Sequence, residues 1–276
     1  MFIPKRLATN ITLAALFSAS ALAFSGEVLS ASLFDSGIPA GWASVGNTGT
    51  LGANGVVTLA PGGGSQYGYV STAGGVTGVG LGLGSETNGS TLTSSLFSAT
   101  AGSDLKFSFN FVTSDGAGYA DYGWAQLLDS SSAPVATLFT ARTTPSGNSV
   151  PGFGMPAIAA TMTPSTVTII AGGPDWAPLA GSSNGCYSTG CGYSGWIQSN
   201  YTIAANGDYR LKFGVVNWSD QAWHTGMAFD GITVGGVPIS QIPEPSTYGM
   251  MLAGLGLIGF ISYRRKEDSS NMPMAA

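Results

Sequence analysis

The sequence predicts an all-β fold, an antiparallel β-sandwich, on three observations. Apolar residues recur at every second position in one segment after another, and no stretch of the body shows the 3.6-residue period of a helix. The strand-length runs follow each other at short spacing with nothing helical between them, the mark of antiparallel rather than βαβ architecture. The connections are Gly, Pro, Ser and Asn, and the 276 residues include 42 Gly and 14 Pro. That content approaches the low-complexity range, but Phe107, Phe109, Phe111, Trp124, Phe139, Phe213 and Phe229 supply enough large side chains to build a core.

The clearest element is 104–113, where Leu105, Phe107, Phe109 and Phe111 alternate with Lys106, Ser108 and Asn110. This is a strand packed on one face. Residues 121–129 are its expected hairpin partner, and 135–140 follow. The segment 167–171 is a short strand, and 196–203, 207–218 and 226–235 close the body, with Asn206-Gly207 as the turn between the first two of these. In 207–218 the inward set is Tyr209, Leu211, Phe213 and Val215. Upstream, 56–59, 67–70, 76–81 and 90–97 read as weaker strands in Gly-rich surroundings, the alternate glycines of 78–84 flattening one strand face. Residues 142–166 and 172–195 read as long loops. Ten or more such strands without an internal repeat point to a jelly roll rather than a propeller or solenoid.

The two ends differ from the body. Lys5 and Arg6 precede an apolar run, and Ala21-Leu22-Ala23 offers a small-x-small cleavage site at Ala21 and Ala23. Residues 1–23 therefore read as a secretory signal peptide. The body is 24–240. At the other end Pro243, Glu244 and Pro245 precede an uncharged apolar segment, 246–263, and then Arg264, Arg265 and Lys266. A spanning helix needs about 20 residues, with a lower limit of about 17, and the basic cluster is the flank expected on the cytoplasmic side. The expectation is a transmembrane helix that holds the body outside the membrane.

Between these ends four basic side chains stand against eleven acidic ones. Such a surface has no basic stripe for nucleic acid. In an exported chain the two cysteines, Cys186 and Cys191, are expected to form a disulfide. No further Cys or second His is present to make a zinc site.

Catalytic constellations are thin. His224 is the only histidine, and Gly192-Tyr-Ser-Gly-Trp196 breaks the Gly-x-Ser-x-Gly pattern at its last place. Asp115, Asp121 and Asp129 flank one predicted hairpin and are the residues from which a carboxylate pair for glycoside hydrolysis would come, although Asp often caps turns. Asp35 and Asp230, near the first and last strands, suit a structural calcium, which takes carboxylate and carbonyl oxygens. Trp176, Tyr187, Tyr193, Trp196, Trp218 and Trp223 lie near loops and are candidates for stacking on sugar rings. Of these, Trp176, Trp218 and Trp223 are the candidate glycan-binding residues.

The tripartite tail, Pro243-Glu244-Pro245 with its apolar run and basic cluster, resembles the PEP-CTERM sorting signal of exopolysaccharide-producing Gram-negative bacteria. It sets the domain plan as 1–23, 24–240 and a sorting signal at 241–268. The resemblance implies exosortase as processing partner, transient membrane anchoring, and a cell-surface or extracellular-matrix destination. The run 95–129, Gly195-Trp196 and 223–232 look like jelly-roll ectodomains of surface-anchored bacterial proteins whose activity is unknown. Residues 228–234 are similar to the last strand of carbohydrate-binding sandwich modules. The resulting expectation is a non-enzymatic surface or matrix protein associated with exopolysaccharide or biofilm. The alternatives are a carbohydrate-binding module with a defined site and a secreted glycoside hydrolase.

Overall fold

A computed structural model describes residues 33–242, 250, 251, 253–258 and 260. In chain order its strands are β1 (Ala43–Val45), β2 (Asn47–Leu51), β3 (Tyr67–Ser71), β4 (Glu86–Thr93), β5 (Phe97–Ala99), β6 (Asp104–Thr113), β7 (Tyr122–Asp129), β8 (Pro134–Arg142), β9 (Thr161–Thr163), β10 (Ile170–Ala171), β11 (Gly192–Tyr193), β12 (Ile197–Thr202), β13 (Gly207–Trp218), β14 (Thr225–Val234) and β15 (Val237–Pro238). Their pairings are antiparallel throughout. One sheet has the order β1-β4-β13-β7-β8, with β5 on β13. The other runs β10-β11-β6-β14-β3-β2, with β12 on β6, β9 on β12 and β15 on β14.

Side-chain alternation decides what each strand buries. Leu105, Phe107, Phe109 and Phe111 of β6 share one apolar cluster with Leu211, Phe213 and Val215 of β13, in the other sheet. Two face-to-face ring pairs link the sheets: Phe109 on Phe139 at 3.7 Å and Phe213 on Phe229 at 3.8 Å. Each such side chain contributes about 1.5–3 kcal/mol on burial, so this aromatic layer carries much of the fold.

The outer faces are covered as well. Over β3, β6 and β14, Trp176 and Leu179 pack on Tyr67, Val112 and Ala228. They come from a 3-10 turn at Ala177–Ser182 and the residue before it. Thus 172–195, expected as a long loop, folds down on a sheet and buries Trp176 completely. Over the other sheet, Val79, Leu81, Leu83, Met155 and Trp218 pack on Tyr122, Trp124 and Val216. Gly214 of β13 permits that layer, since a Cβ there would stand 2.3 Å from the Trp124 ring.

Several upstream expectations change. Residues 76–81 are not a strand: Val76 makes one isolated bridge to Gly89. The alternate glycines there take φ of +82°, +144°, +76° and +125° at 78, 80, 82 and 84. They serve a left-handed backbone that side chains disfavour, not a flat strand face. Residues 56–59 likewise reduce to the bridge Asn54–Val57, and 167–171 to β10 plus the bridge Val150–Val167. Short strands β1, β2, β9, β11 and β15 carry too little alternation to be read from sequence.

The described residues of 250–260 are helical and expose Met250, Met251, Leu255, Leu257, Ile258 and Phe260. Among the described residues no helix is long and apolar enough to cross a membrane. The expected span 246–263 lies partly outside them. The signal peptide with Ala21 and Ala23, the Pro243-Glu244-Pro245 motif, and Arg264, Arg265 and Lys266 lie wholly outside.

Candidate functional site

One end of β6 gathers the chemistry. Its last residue, Thr113, pairs with Thr225 of β14 on one side and with Gly192 of β11 on the other. The chain leaving β6, the chain entering β11 and the chain entering β14 must therefore meet. Backbone hydrogen bonds fasten them: Tyr187 N–H donates to Ser114 O at 3.0 Å, Ala117 N–H to Thr189 O at 2.9 Å, and Ser114 N–H to His224 O at 3.1 Å. The Cys186–Cys191 disulfide forms as expected and closes the middle loop.

Three aromatic rings stand on these loops. Tyr119 and Tyr187 lie 5.5 Å apart at 78°, and Tyr187 and Trp223 lie 5.9 Å apart at 45°. Tyr187 is 49% exposed, and the other two are half-buried. Trp223 has φ +51°, a left-handed conformation uncommon for any side chain and an outlier for a bulky one. Its ring edge fits because residue 185 is Gly, where a Cβ would stand 2.5 Å from the indole. Asn184 and Ser219, on the same loops, also have positive φ. The Tyr119 phenol is held above its ordinary pKa, first by the neighbouring Tyr187 hydroxyl and then by lesser contributions that include Asp220 and Asp115.

Beneath the ring trio lies a buried acid network. Asp121 is fully buried. Its Oδ1 accepts from Trp218 N–H at 2.7 Å and its Oδ2 from the Thr225 hydroxyl at 2.6 Å. Thr225 in turn meets the Thr113 hydroxyl at 2.7 Å, and Thr143 donates to Thr113 at 3.2 Å. With Thr225 committed to Asp121, the protons point one way, from Thr143 through Thr113 and Thr225 to the carboxylate. Asp115 is 1% exposed. Its Oδ1 takes Gly116 N–H at 2.6 Å, and its Oδ2 has no hydrogen-bond partner. Burial, with a lesser push from Asp220, lifts Asp115 to about 7. Burial and then the charge of Asp115 lift Asp121 well above the carboxylate range.

Asp129 stands apart from this pair. Its Oδ1 takes Ser131 N–H, Ser131 Oγ and Ala133 N–H and so caps its own turn. It ends β7, whose eight residues place it about 25 Å from Asp121. His224 is half-buried, its Nδ1 lies 3.4 Å from Thr72 Oγ1, and burial lowers its pKa.

The other candidates are placed as follows. Trp176 is a correction: it is 0% exposed, with Nε1 donating to the Tyr67 hydroxyl at 2.9 Å, and presents no face to a ligand. Trp218 has a face covered by the Arg142 guanidinium at 4.4 Å. Trp223 alone of the three sits with other accessible rings. Tyr119 was missed, because a single Tyr in Gly-Ala-Gly-Tyr-Ala carries no signal of its neighbours. Asp35 Oδ1 takes Ser65 N–H at 2.7 Å, Ser65 Oγ at 3.0 Å and Gln66 N–H at 3.0 Å, and Asp230 Oδ2 takes Gly64 N–H at 3.4 Å. Both carboxylates therefore address one loop. Each accepts donors from that loop, and among the described residues no group of three or more His, Cys, Asp or Glu is placed to hold a metal.

The molecule is thus an all-β body followed by an apolar tail. Residues 241–266 match the PEP-CTERM protein-sorting motif. The chain carries this motif, which implies processing by exosortase and export to the cell surface. No curated protein matches the chain. Among solved structures it is similar to the K3 cleaved adhesin domain of Lys-gingipain from Porphyromonas gingivalis, at 14% identity, a TM-score of 0.33, and coverage of 72% of this chain and 95% of that one. The K1 cleaved adhesin domain of the same protein gives 13% identity, a TM-score of 0.32, and 71% and 92% coverage.

Proposed function

We propose that the chain is a non-enzymatic surface or extracellular-matrix protein with a jelly-roll-like sandwich body, associated with exopolysaccharide through weak, multivalent adhesion. The sorting motif at 241–266 carries this reading, because it sends the body to the compartment where such polymers lie. An acidic surface with few charges suits a hydrated matrix. Low affinity at one site is compensated when many copies face one polymer. The Asp115–Asp121 pair lies beneath the loops, with both oxygens of Asp121 committed to donors, which favours a structural use of these carboxylates. Calcium at Asp35 and Asp230 belongs to the proposal as an ion that orders the chain ends, away from the sugar.

The decisive experiment is a deletion strain complemented with the wild-type gene. Loss of matrix retention and cell aggregation on deletion, restored by complementation, is the expected result. Unchanged aggregation and retention would refute the adhesive role. Cleavage of a glycan by purified protein, lost on Asp121→Asn, would replace it with a hydrolase. Processing has its own readout: surface-extracted protein should lack residues 251–261 in intact-mass analysis, and their presence would show that the anchor is retained.

A further inference from the structure

We propose that an apolar groove at the end of the body where β6 begins is a lipid-contact face, which rests on a zwitterionic bilayer surface while the tail holds the chain in the membrane. The inference rests on the reading of 246–263 as a membrane anchor and adds the surface by which the body meets that membrane.

The two ends of the body build the groove together. Its volume is about 250 Å³, and it is lined by Leu33, Pro39 and Trp42 from the chain before β1, by Phe97 of β5, and by Ile239 and Ile242 after β15. None of its nine lining residues is charged. Phe97 and Ile239 are buried in the core. Leu33, Trp42 and Ile242 pack against the same core and stay partly open. The Trp42 ring is held edge-on to Phe34 at 5.5 Å and 80°, and Phe34 packs in turn on Phe229 of β14. The groove is therefore a fixed apolar surface. Two residues before Ile239, Val237 leaves a further 44% of its surface in solvent.

The length of chain beyond the groove says what covers it. Ile242 lines the groove, and Pro243, Glu244 and Pro245 alone separate it from the apolar segment 246–263. Four residue steps span at most about 14 Å even when fully extended. A body tethered that closely to an anchor keeps this groove within reach of the bilayer interface. Trp42 suits that depth, since an indole joins an apolar ring to a polar N–H and Trp is enriched where membranes meet water. So short a tether also makes a weak contact sufficient, because it raises the effective concentration of lipid at the groove. The ten residues of β6 put Tyr119, Tyr187 and Trp223 about 30 Å away, at the opposite end. Charge selects the headgroup. Arg210 donates to Ser94 O at 3.1 Å, next to Ser95 of the groove lining, and offers one guanidinium to a lipid phosphate. Against it, Asp208 accepts from the Ser98 hydroxyl at 2.7 Å, Asp129 lies opposite Tyr209, and Asp104 pairs with Lys106 at 3.5 Å. The balance at this end is acidic. Anionic headgroups are repelled, and the apolar groove makes the contact.

The test places the full-length protein in phosphatidylcholine vesicles that carry a nitroxide quencher on the headgroup. Of the six tryptophans, Trp42 is the one that lines the groove. Flotation first shows whether the chain is in the membrane. The quencher should then dim the emission of the wild type, and Trp42→Phe, which keeps an apolar ring, should cut the quenched fraction at least twofold. Ala40→Asp puts a charge on an exposed lining residue and should also cut it at least twofold, with the unfolding temperature kept. Replacing part of the lipid with phosphatidylglycerol should weaken the quenching. An inserted wild type that is not quenched, quenching unchanged by Trp42→Phe or Ala40→Asp, or quenching strengthened by phosphatidylglycerol would overturn the inference and leave the anchor standing. A chain that does not float with the vesicles would overturn the anchor reading and the inference together. Absent quenching with cross-linked pairs of an Ala40→Cys variant would give the groove to a second copy of the chain instead.

Discussion

Asp115 makes the stability of this protein depend on pH in an unusual direction. Its carboxyl moves from an ordinary 3.8 to about 7 in the folded state, chiefly because burial disfavours its charge. The folded protein therefore holds this proton more tightly than the unfolded chain. Between pH 4 and 7 the native state binds more protons, so stability falls as pH rises. At about 1.4 kcal/mol per unit the full window amounts to about 4 kcal/mol as a ceiling. Asp115 lies just under a surface loop, and solvent screening brings the figure to about 2 kcal/mol. Asp121 shifts the same way and, because the Asp115 charge raises it, adds to the effect. His224 opposes it: with its pKa lowered, its contribution is full above 6.5 and declines as pH falls. Glu86, whose pKa is also lowered, loses its contribution only below about 4.5. Urea unfolding of wild type and Asp115→Asn at pH 5 and pH 8 isolates the carboxyl. The wild type should be more stable at pH 5. The variant should match it there within about 1 kcal/mol and exceed it at pH 8 by about 2 kcal/mol. A wild type at least as stable at pH 8 as at pH 5, or a variant that keeps the whole pH dependence, would refute the reasoning.

Three further outcomes follow from the geometry. Gly214→Ala drives a methyl into Trp124 and should cost about 1–3 kcal/mol in urea unfolding, whereas Gly102→Ala, with open space around it but φ +85°, should show only the smaller backbone cost. Native protein should resist free-thiol labelling at Cys186 and Cys191, and reduction should lower stability by at most about 3 kcal/mol while opening residues 186–191 to proteolysis. Millimolar calcium should raise the unfolding temperature of wild type but not of Asp35→Ala, and no change in wild type would remove calcium from the proposal.

How much of this was readable from the sequence depends on how local the cause is. The strands β6, β7, β13 and β14 are legible because long alternation and repeated Phe force one face inward. The Cys186–Cys191 loop is legible because its partners are five residues apart. The 78–84 glycines misled, since alternation of a residue without a side chain looks like a strand and instead serves positive φ. Trp176 misled for the opposite reason: in a Gly- and Ser-rich stretch it looked exposed, but the chain bends back and buries it over β14, where Gly226 leaves room, a Cβ there standing 2.5 Å from the indole. Asp121 could not be told from a turn Asp, because its partners, Thr225 and Trp218, lie about a hundred residues away.

The ring trio shows the same limit most clearly. Tyr119, Tyr187 and Trp223 have no shared motif, and nothing in their local sequence joins them. What joins them is the register of one strand end, where Thr113 pairs with both Gly192 and Thr225. A one-residue slip of β14 on β6 would turn every side chain of β14 to the opposite face. Phe229 would then leave its stack on Phe213, and Thr225 would leave Asp121. The core thus fixes the register, and the register assembles the site. Substitutions that weaken the Phe213–Phe229 stack should therefore loosen the ring trio at a distance. In a Phe229→Leu variant that remains folded, amide hydrogen exchange of residues 186–191 and 219–224 should quicken. Unchanged exchange would mean that the loop contacts and the disulfide hold the rings without help from the sheet.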